Sequence, residues 1–123
     1  MAENSVSKPV RWLLYALLVA VALGAMGFLA VFGMIENSVE VICDEALQAQ
    51  QMEGAGQEVP ALIAQLQSDT TTLREKNRII WALGRLRDKR ALPVLEALVT
   101  GEKCDHSKYV CQRELKRAIE RIE

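Results

Sequence analysis

The sequence predicts an all-α protein: one N-terminal transmembrane helix followed by a short α-solenoid of about five helices. Three observations lead there. Residues 12–35 run for 24 positions without a charge, and all but Gly24, Gly27 and Gly33 are hydrophobic. After them, apolar residues recur at helical spacing, and no useful stretch alternates with period two, so strands are not expected. Finally, Val59-Pro60-Ala61-Leu62 returns 33 positions later as Leu92-Pro93-Val94-Leu95, and Trp81-Ala82-Leu83 returns loosely 36 positions later as Arg117-Ala118-Ile119. Helix pairs repeating at such intervals stack as solenoids, because each pair alone is too thin to make a core.

Composition sets the limits. A chain of 123 residues with 15 basic and 16 acidic side chains has room for one domain plus an anchor. Its net charge of −1 argues against nucleic acid as a partner. Three cysteines are too few for a disulfide scaffold.

The apolar run from Trp12 to Ile35 would form a helix of roughly 36 Å, against a hydrocarbon core of about 30 Å. A cleaved signal peptide has a shorter apolar core, about 7–15 residues, ending at small residues. This run is longer and ends in Phe32-Gly33-Met34-Ile35, so it reads as an uncleaved anchor. Trp12 and Tyr15 suit the membrane interface. Ala16, Ala20 and Gly24 share one face and would let another helix approach closely, whether a second copy or another subunit.

Residues 1–11 form the expected tail, 12–35 the span and 36–123 the helical domain. Lys8 and Arg11 precede the span with only Glu3 against them, whereas Glu36, Glu40, Asp44, Glu45, Glu53 and Glu58 follow before the next base, Arg74. The bias of basic residues therefore keeps the N-terminus cytoplasmic and puts the domain outside, in the periplasm if there are two membranes.

Beyond the span, Val39, Ile42, Cys43, Ala46 and Leu47 form the stripe of a first helix, able to run straight out of the membrane and ending near Met52. Glu53-Gly54-Ala55-Gly56-Gln57 is a loop. Pro60 suits the first turn of the next helix, whose apolar side is Leu62, Ile63 and Leu66. Ser68-Asp69-Thr70-Thr71-Thr72 supplies a turn and a cap. A longer helix follows from Thr72 to Arg87, with Leu73, Ile79, Ile80, Leu83 and Leu86 on one side. After Asp88-Lys89, a helix from Arg90 to Val99 carries Pro93 in its first turn, and Gly101 closes it. The last helix is expected from Ser107 to Ile122, with Cys111, Leu115, Ala118, Ile119 and Ile122 inward.

Residues 78–95, which read RIIWALGRLRDKRALPVL, resemble the HEAT-like repeat of the phycobilisome-lyase type: an Arg, an Ala-Leu-Gly run, an Asp, then Arg-Ala-Leu-Pro. Ala82 and Gly84 allow close helix contact, Asp88 can cap the next helix and Pro93 starts it. The match is strong over residues 73–99 and weak over 38–69 and 107–123. The resemblance implies a short right-handed helical solenoid used for protein contact. It carries no catalytic residue over to this chain.

Cys104, Asp105, His106 and Cys111 are the one cluster with chemistry. It makes a poor zinc site, with three ligands at no familiar spacing. A Cys104–Cys111 disulfide is expected if the domain lies outside the cytoplasm, with Cys111 as a plain buried side chain the competing reading. Cys43 is expected buried. Charge is segregated: residues 36–73 sum to −7 and residues 74–123 to +5. Arg74, Arg78, Arg85, Arg113, Lys116 and Arg117 are either a solvated face or a docking surface for an acidic partner or anionic headgroups.

The expectation is a non-catalytic, cofactor-free, membrane-anchored adaptor or accessory subunit that binds a protein partner, homo-oligomers included. Two alternatives stay open: a stand-alone sensor dimerising through its span, and an accessory factor of a lyase or tetrapyrrole-handling system.

Overall fold

The computed structural model describes residues 7–123, so the first six residues of the expected tail, Glu3 among them, lie outside the described residues. The described chain is helical, with no strand: α1 (Lys8–Gln50), α2 (Glu58–Gln67), α3 (Leu73–Leu86), a 3-10 turn (Lys89–Ala91), α4 (Leu92–Ala97) and α5 (Gln112–Ile122). The chain divides into two units between Asn37 and Ser38.

In the first unit, α1 buries nothing. Every large apolar side chain from Val10 to Met34 is exposed, Trp12 to 77% and Met34 to 72%. Phe28 and Phe32, one turn apart, stack with ring centroids 6.1 Å apart. A helix that is apolar around its whole circumference needs an apolar environment on every side. By length and composition this one can cross a membrane.

In the second unit, α1 contributes Ile42, Cys43 and Ala46 to a core completed by Val59, Ala61, Leu62 and Leu66 of α2, Ile79, Ile80, Ala82 and Leu83 of α3, Leu95 of α4, and Leu115, Ala118 and Ile122 of α5. The α3–α5 interface is the most extensive. At its centre a Cβ placed on Gly84 would lie 2.8 Å from Ala118 Cα, so the glycine permits the approach of the two backbones.

Several helix boundaries follow from short-range chemistry. At α3, the Glu75 N–H donates to Thr72 Oγ1 at 3.3 Å, while the Thr72 N–H donates to Glu75 Oε2 at 2.8 Å, a reciprocal capping box. The Thr72 backbone and hydroxyl donors hold the Glu75 carboxyl below the usual glutamate range. A depressed carboxyl adds stability above its unfolded pKa, and loses it as the pH falls through the folded value. Loss of the Thr72 N-cap hydrogen bond in Thr72→Ala should cost about 1 kcal/mol near neutral pH. The cost should shrink in acid, as paired urea melts at about pH 7 and about pH 3 would report.

Two expected helices change length. The helix foreseen over Arg90–Val99 is a 3-10 turn joined to a short α4, with the Asp88 carboxylate accepting the Arg90 N–H at 2.9 Å. Pro93 lies in the first turn of α4, as expected. The last helix starts at Gln112 rather than Ser107. Asp105 turns the chain instead: its Oδ1 accepts from the Ser107 N–H at 3.1 Å and hydroxyl at 2.6 Å, and its carbonyl accepts the Lys108 and Tyr109 N–H groups at 3.2 Å each.

Candidate functional site

Two groups of side chains in the second unit combine exposure with chemistry. The first is on α3. Arg74, Arg78, Trp81 and Arg85 recur at four-, three- and four-residue spacing, so they share one stripe of the helix. The three arginines are exposed and Trp81 is half-buried, its indole packed against the core. Arg74, Arg78 and Trp81 line an open groove with Asn77, Ser38 and Ile42. Arg78 also approaches Glu45 of the acidic segment at 3.7 Å, an exposed pair worth little in water.

The second group gathers where the loop after α4 meets the start of α5. Gln112 straps this loop from the α5 side: its Oε1 accepts the Thr100 N–H at 2.9 Å, and its Nε2 donates to the carbonyls of Leu98 at 3.2 Å and Val110 at 3.3 Å. The Tyr109 hydroxyl donates to the Lys103 carbonyl. Cys104 is exposed and Cys111 half-buried, and their sulfurs stand 3.6 Å apart. The expected Cys104–Cys111 disulfide is therefore not present in the structure: both are free thiols in contact. Cys111 is also the N-cap of α5 rather than a residue on its second turn. That cap arrangement sets the Cys104 sulfur beside the helix N-terminus, where it accepts the Arg113 N–H at 3.3 Å.

This hydrogen bond, followed by the one with Cys111, holds the Cys104 thiol below the usual cysteine range. Cys43 goes the other way. Burial in the core pushes its thiol up, with Glu58, Asp44 and Glu40 adding to the effect.

The basic residues foreseen on α5 are exposed too, and two of them border acids as Arg78 does on α3. Arg113 and Lys116 line a pocket beside Cys104 together with Val99 and Ile119. Lys116 approaches Glu120 at 3.9 Å, and Arg117 approaches Glu114 at 3.8 Å. The positive half of the sequence is thus two patches, an arginine–tryptophan stripe on α3 and a mixed-charge rim on α5. Ala16, Ala20 and Gly24 are exposed on α1, and open space surrounds a Cβ built on Gly24. Among the described residues, no three His, Cys, Asp or Glu side chains converge as a metal centre would need.

Asn77 carries a structural role that spacing alone does not announce. Its Oδ1, on α3, accepts the Cys111 N–H at 2.7 Å, so one helix caps another across 34 residues of sequence. The only sequence signal is an amide side chain among α3 positions otherwise held by charged and apolar residues.

No family model, no curated protein and no solved structure matches the chain.

Proposed function

We propose that the chain is a non-catalytic adaptor: α1 anchors it through a membrane over residues 12–35, and the second unit, a short HEAT-like stack of helices, holds a protein partner there. The observation that carries this reading is the α3 stripe. Arginine and tryptophan are the side chains most enriched where partners bind tightly, since each combines a broad apolar surface with directed donors. Here three exposed arginines flank an indole seated on a rigid core. An acidic partner surface would complement them. The HEAT-like resemblance over residues 73–99 and the close packing at Gly84 support the same role, because a stiff helical stack presents such a stripe without ordering cost.

The anchor reading draws on the uncharged run, on the interfacial cluster of Lys8, Arg11, Trp12 and Tyr15, and on the exposure of every large side chain between. The basic residues before the span keep the N-terminus cytoplasmic and place the second unit outside. Ala16, Ala20 and Gly24 offer the face on which a second span would pack.

The test is charge reversal in the intact, membrane-inserted chain. Arg74→Glu with Arg78→Glu and Arg85→Glu should abolish a partner complex seen on native gels in mild detergent, with membrane fractionation unchanged. Arg113→Glu with Lys116→Glu and Arg117→Glu should weaken it less. A complex untouched by both triple variants, or a chain that runs alone in mild detergent, overturns the adaptor reading. Membrane-impermeant maleimide should label Cys104 from outside intact cells, and labelling only after lysis reverses the orientation.

A further inference from the structure

We propose that Cys104 and Cys111 form a thiol–disulfide exchange couple, in which Cys104 attacks a disulfide and Cys111 resolves the mixed disulfide that results. Membrane anchoring and partner binding do not depend on this activity, but it would replace the non-catalytic part of the adaptor reading.

Geometry assigns the two roles. Exchange needs an attacking sulfur that the incoming disulfide can reach and a second sulfur held within a short movement of the first. Cys104 is exposed, on a loop that borders an open pocket whose lining is apolar at Val99 and Ile119 and of both charges elsewhere, with Lys103, Arg113 and Lys116 beside Glu102, Glu120 and Glu123. Cys111 is half-buried and pinned through its own N–H to Asn77. The sulfurs are 3.6 Å apart and would close to about 2.05 Å on bonding. Closing that distance requires a small shift of the loop that carries Cys104, since the α5 side is anchored on α3.

The electrostatics agree with the assignment. The Arg113 N–H directed at the Cys104 sulfur belongs to the first turn of α5, where free N–H groups and the helix dipole favour an anion. The thiolate is the nucleophile in such chemistry, and the thiol of this pair that the hydrogen bonds favour as thiolate is also the exposed one.

The chemistry balances without a further reagent. The Cys104 thiolate attacks one sulfur of the incoming disulfide. A Cys104–substrate bond forms, the substrate disulfide breaks, and the first substrate thiolate leaves and takes up the proton that Cys104 gave to solvent. Cys111 then loses its proton and attacks the Cys104 sulfur. The internal disulfide forms, and the second substrate thiolate leaves and is protonated in turn. Two electrons pass from the cysteine pair to the substrate disulfide, which departs as two thiols.

The experiment uses the full chain in detergent with glutathione disulfide as the probe. Tryptic cleavage after Lys103, Lys108 and Arg113 puts the two cysteines on separate peptides, 104–108 and 109–113, so an internal bond appears as one joined mass. The wild type should yield the joined peptides and no lasting glutathione adduct. Cys111→Ser should trap a single glutathione on Cys104. Cys104→Ser should acquire its adduct on Cys111 more slowly, on the order of tenfold. Iodoacetamide labelling of Cys104 should persist below the pH at which an ordinary cysteine stops reacting. Cys43 serves as an internal check on folding, since it is buried and should label only once the domain is unfolded.

Equal rates for the two single variants overturn the assignment of roles. Glutathione on both cysteines of the wild type with no joined peptide, or reaction only after unfolding, overturns the couple.

Discussion

Replacing Gly84 with valine should unfold the second unit at a markedly lower temperature. A Cβ at this position would sit 2.8 Å from Ala118 Cα and 2.9 Å from Ala118 Cβ, closer than real Cβ atoms approach. The obstruction is backbone, so no rotamer change on α5 relieves it. Either α3 and α5 separate along their largest shared surface, or the packing around Ile80, Leu83 and Leu115 is disturbed. Overpacking of a core costs about 1–3 kcal/mol, and valine adds two further methyl groups to the overlap, so about 3 kcal/mol is expected. In a domain of about 60–100 residues each kcal/mol lowers Tm by roughly 4–8 °C. Thermal melts of the full chain in detergent would read the loss. Alanine should cost less, because its better helix propensity returns about 1 kcal/mol. Combining Gly84→Val with Ala118→Gly should restore only part of the stability, since that change removes the clash with the Ala118 methyl group and leaves the clash with the α5 backbone. An unchanged melt for Gly84→Val would mean that the two helices do not meet at this point.

Gly84 also marks how far the sequence can be read. The Ala-Leu-Gly run announces a close helix approach, because glycine in a helix carries a propensity cost unless a neighbour needs the space. It does not say which helix approaches. Ala118 lies 34 residues away, and nothing in the local pattern names it. The helical elements and their apolar stripes were legible for the same kind of reason: they depend on spacing within one turn or two. The two helices that came out shorter were set by less local groups. Cys111 fits the apolar period of α5, but its N–H is taken by Asn77 of α3, and Asp105 turns the residues before it. Although the disulfide expected from it is absent, the nearness of Cys104 to Cys111 was legible from their short separation. The Arg113 N–H that gives them different roles was not, because it required knowing where α5 begins.

The charge pattern was likewise legible as a sum and not as a surface. Counting residues shows a positive half. The structure divides it between α5, where Lys116 and Arg117 meet acids one turn away, and α3, where Arg78 meets Glu45 and the arginines share a stripe with Trp81. A helix stripe with spacing Arg74, Arg78, Trp81, Arg85 could have been drawn from sequence alone. What could not be drawn is that Trp81 leans on the core.

Placing two arginines at the middle of the apolar run, Leu23→Arg with Met26→Arg, should release the chain from the membrane. Each arginine near the centre of a span costs about 2.5–3.5 kcal/mol on insertion scales, and two positions within one turn cannot both reach an interface along the same short path. The combined penalty, about 5–7 kcal/mol, would set insertion against it by more than a thousandfold if the costs add. Leu23 and Met26 are exposed and have no role in the second unit's core, which starts at Ile42. The substitution therefore separates anchoring from folding. The wild type should stay in the pellet after alkaline carbonate extraction, and the double variant should move to the supernatant or be degraded. A Leu23→Ile, Met26→Leu control should behave as the wild type. If the wild type itself is released by carbonate, α1 lies on a surface or was removed as a leader, and the anchor reading fails. The adaptor proposal would then have to stand on the α3 stripe alone. The exchange activity of Cys104 and Cys111 would be unaffected, since every group it uses lies in the second unit.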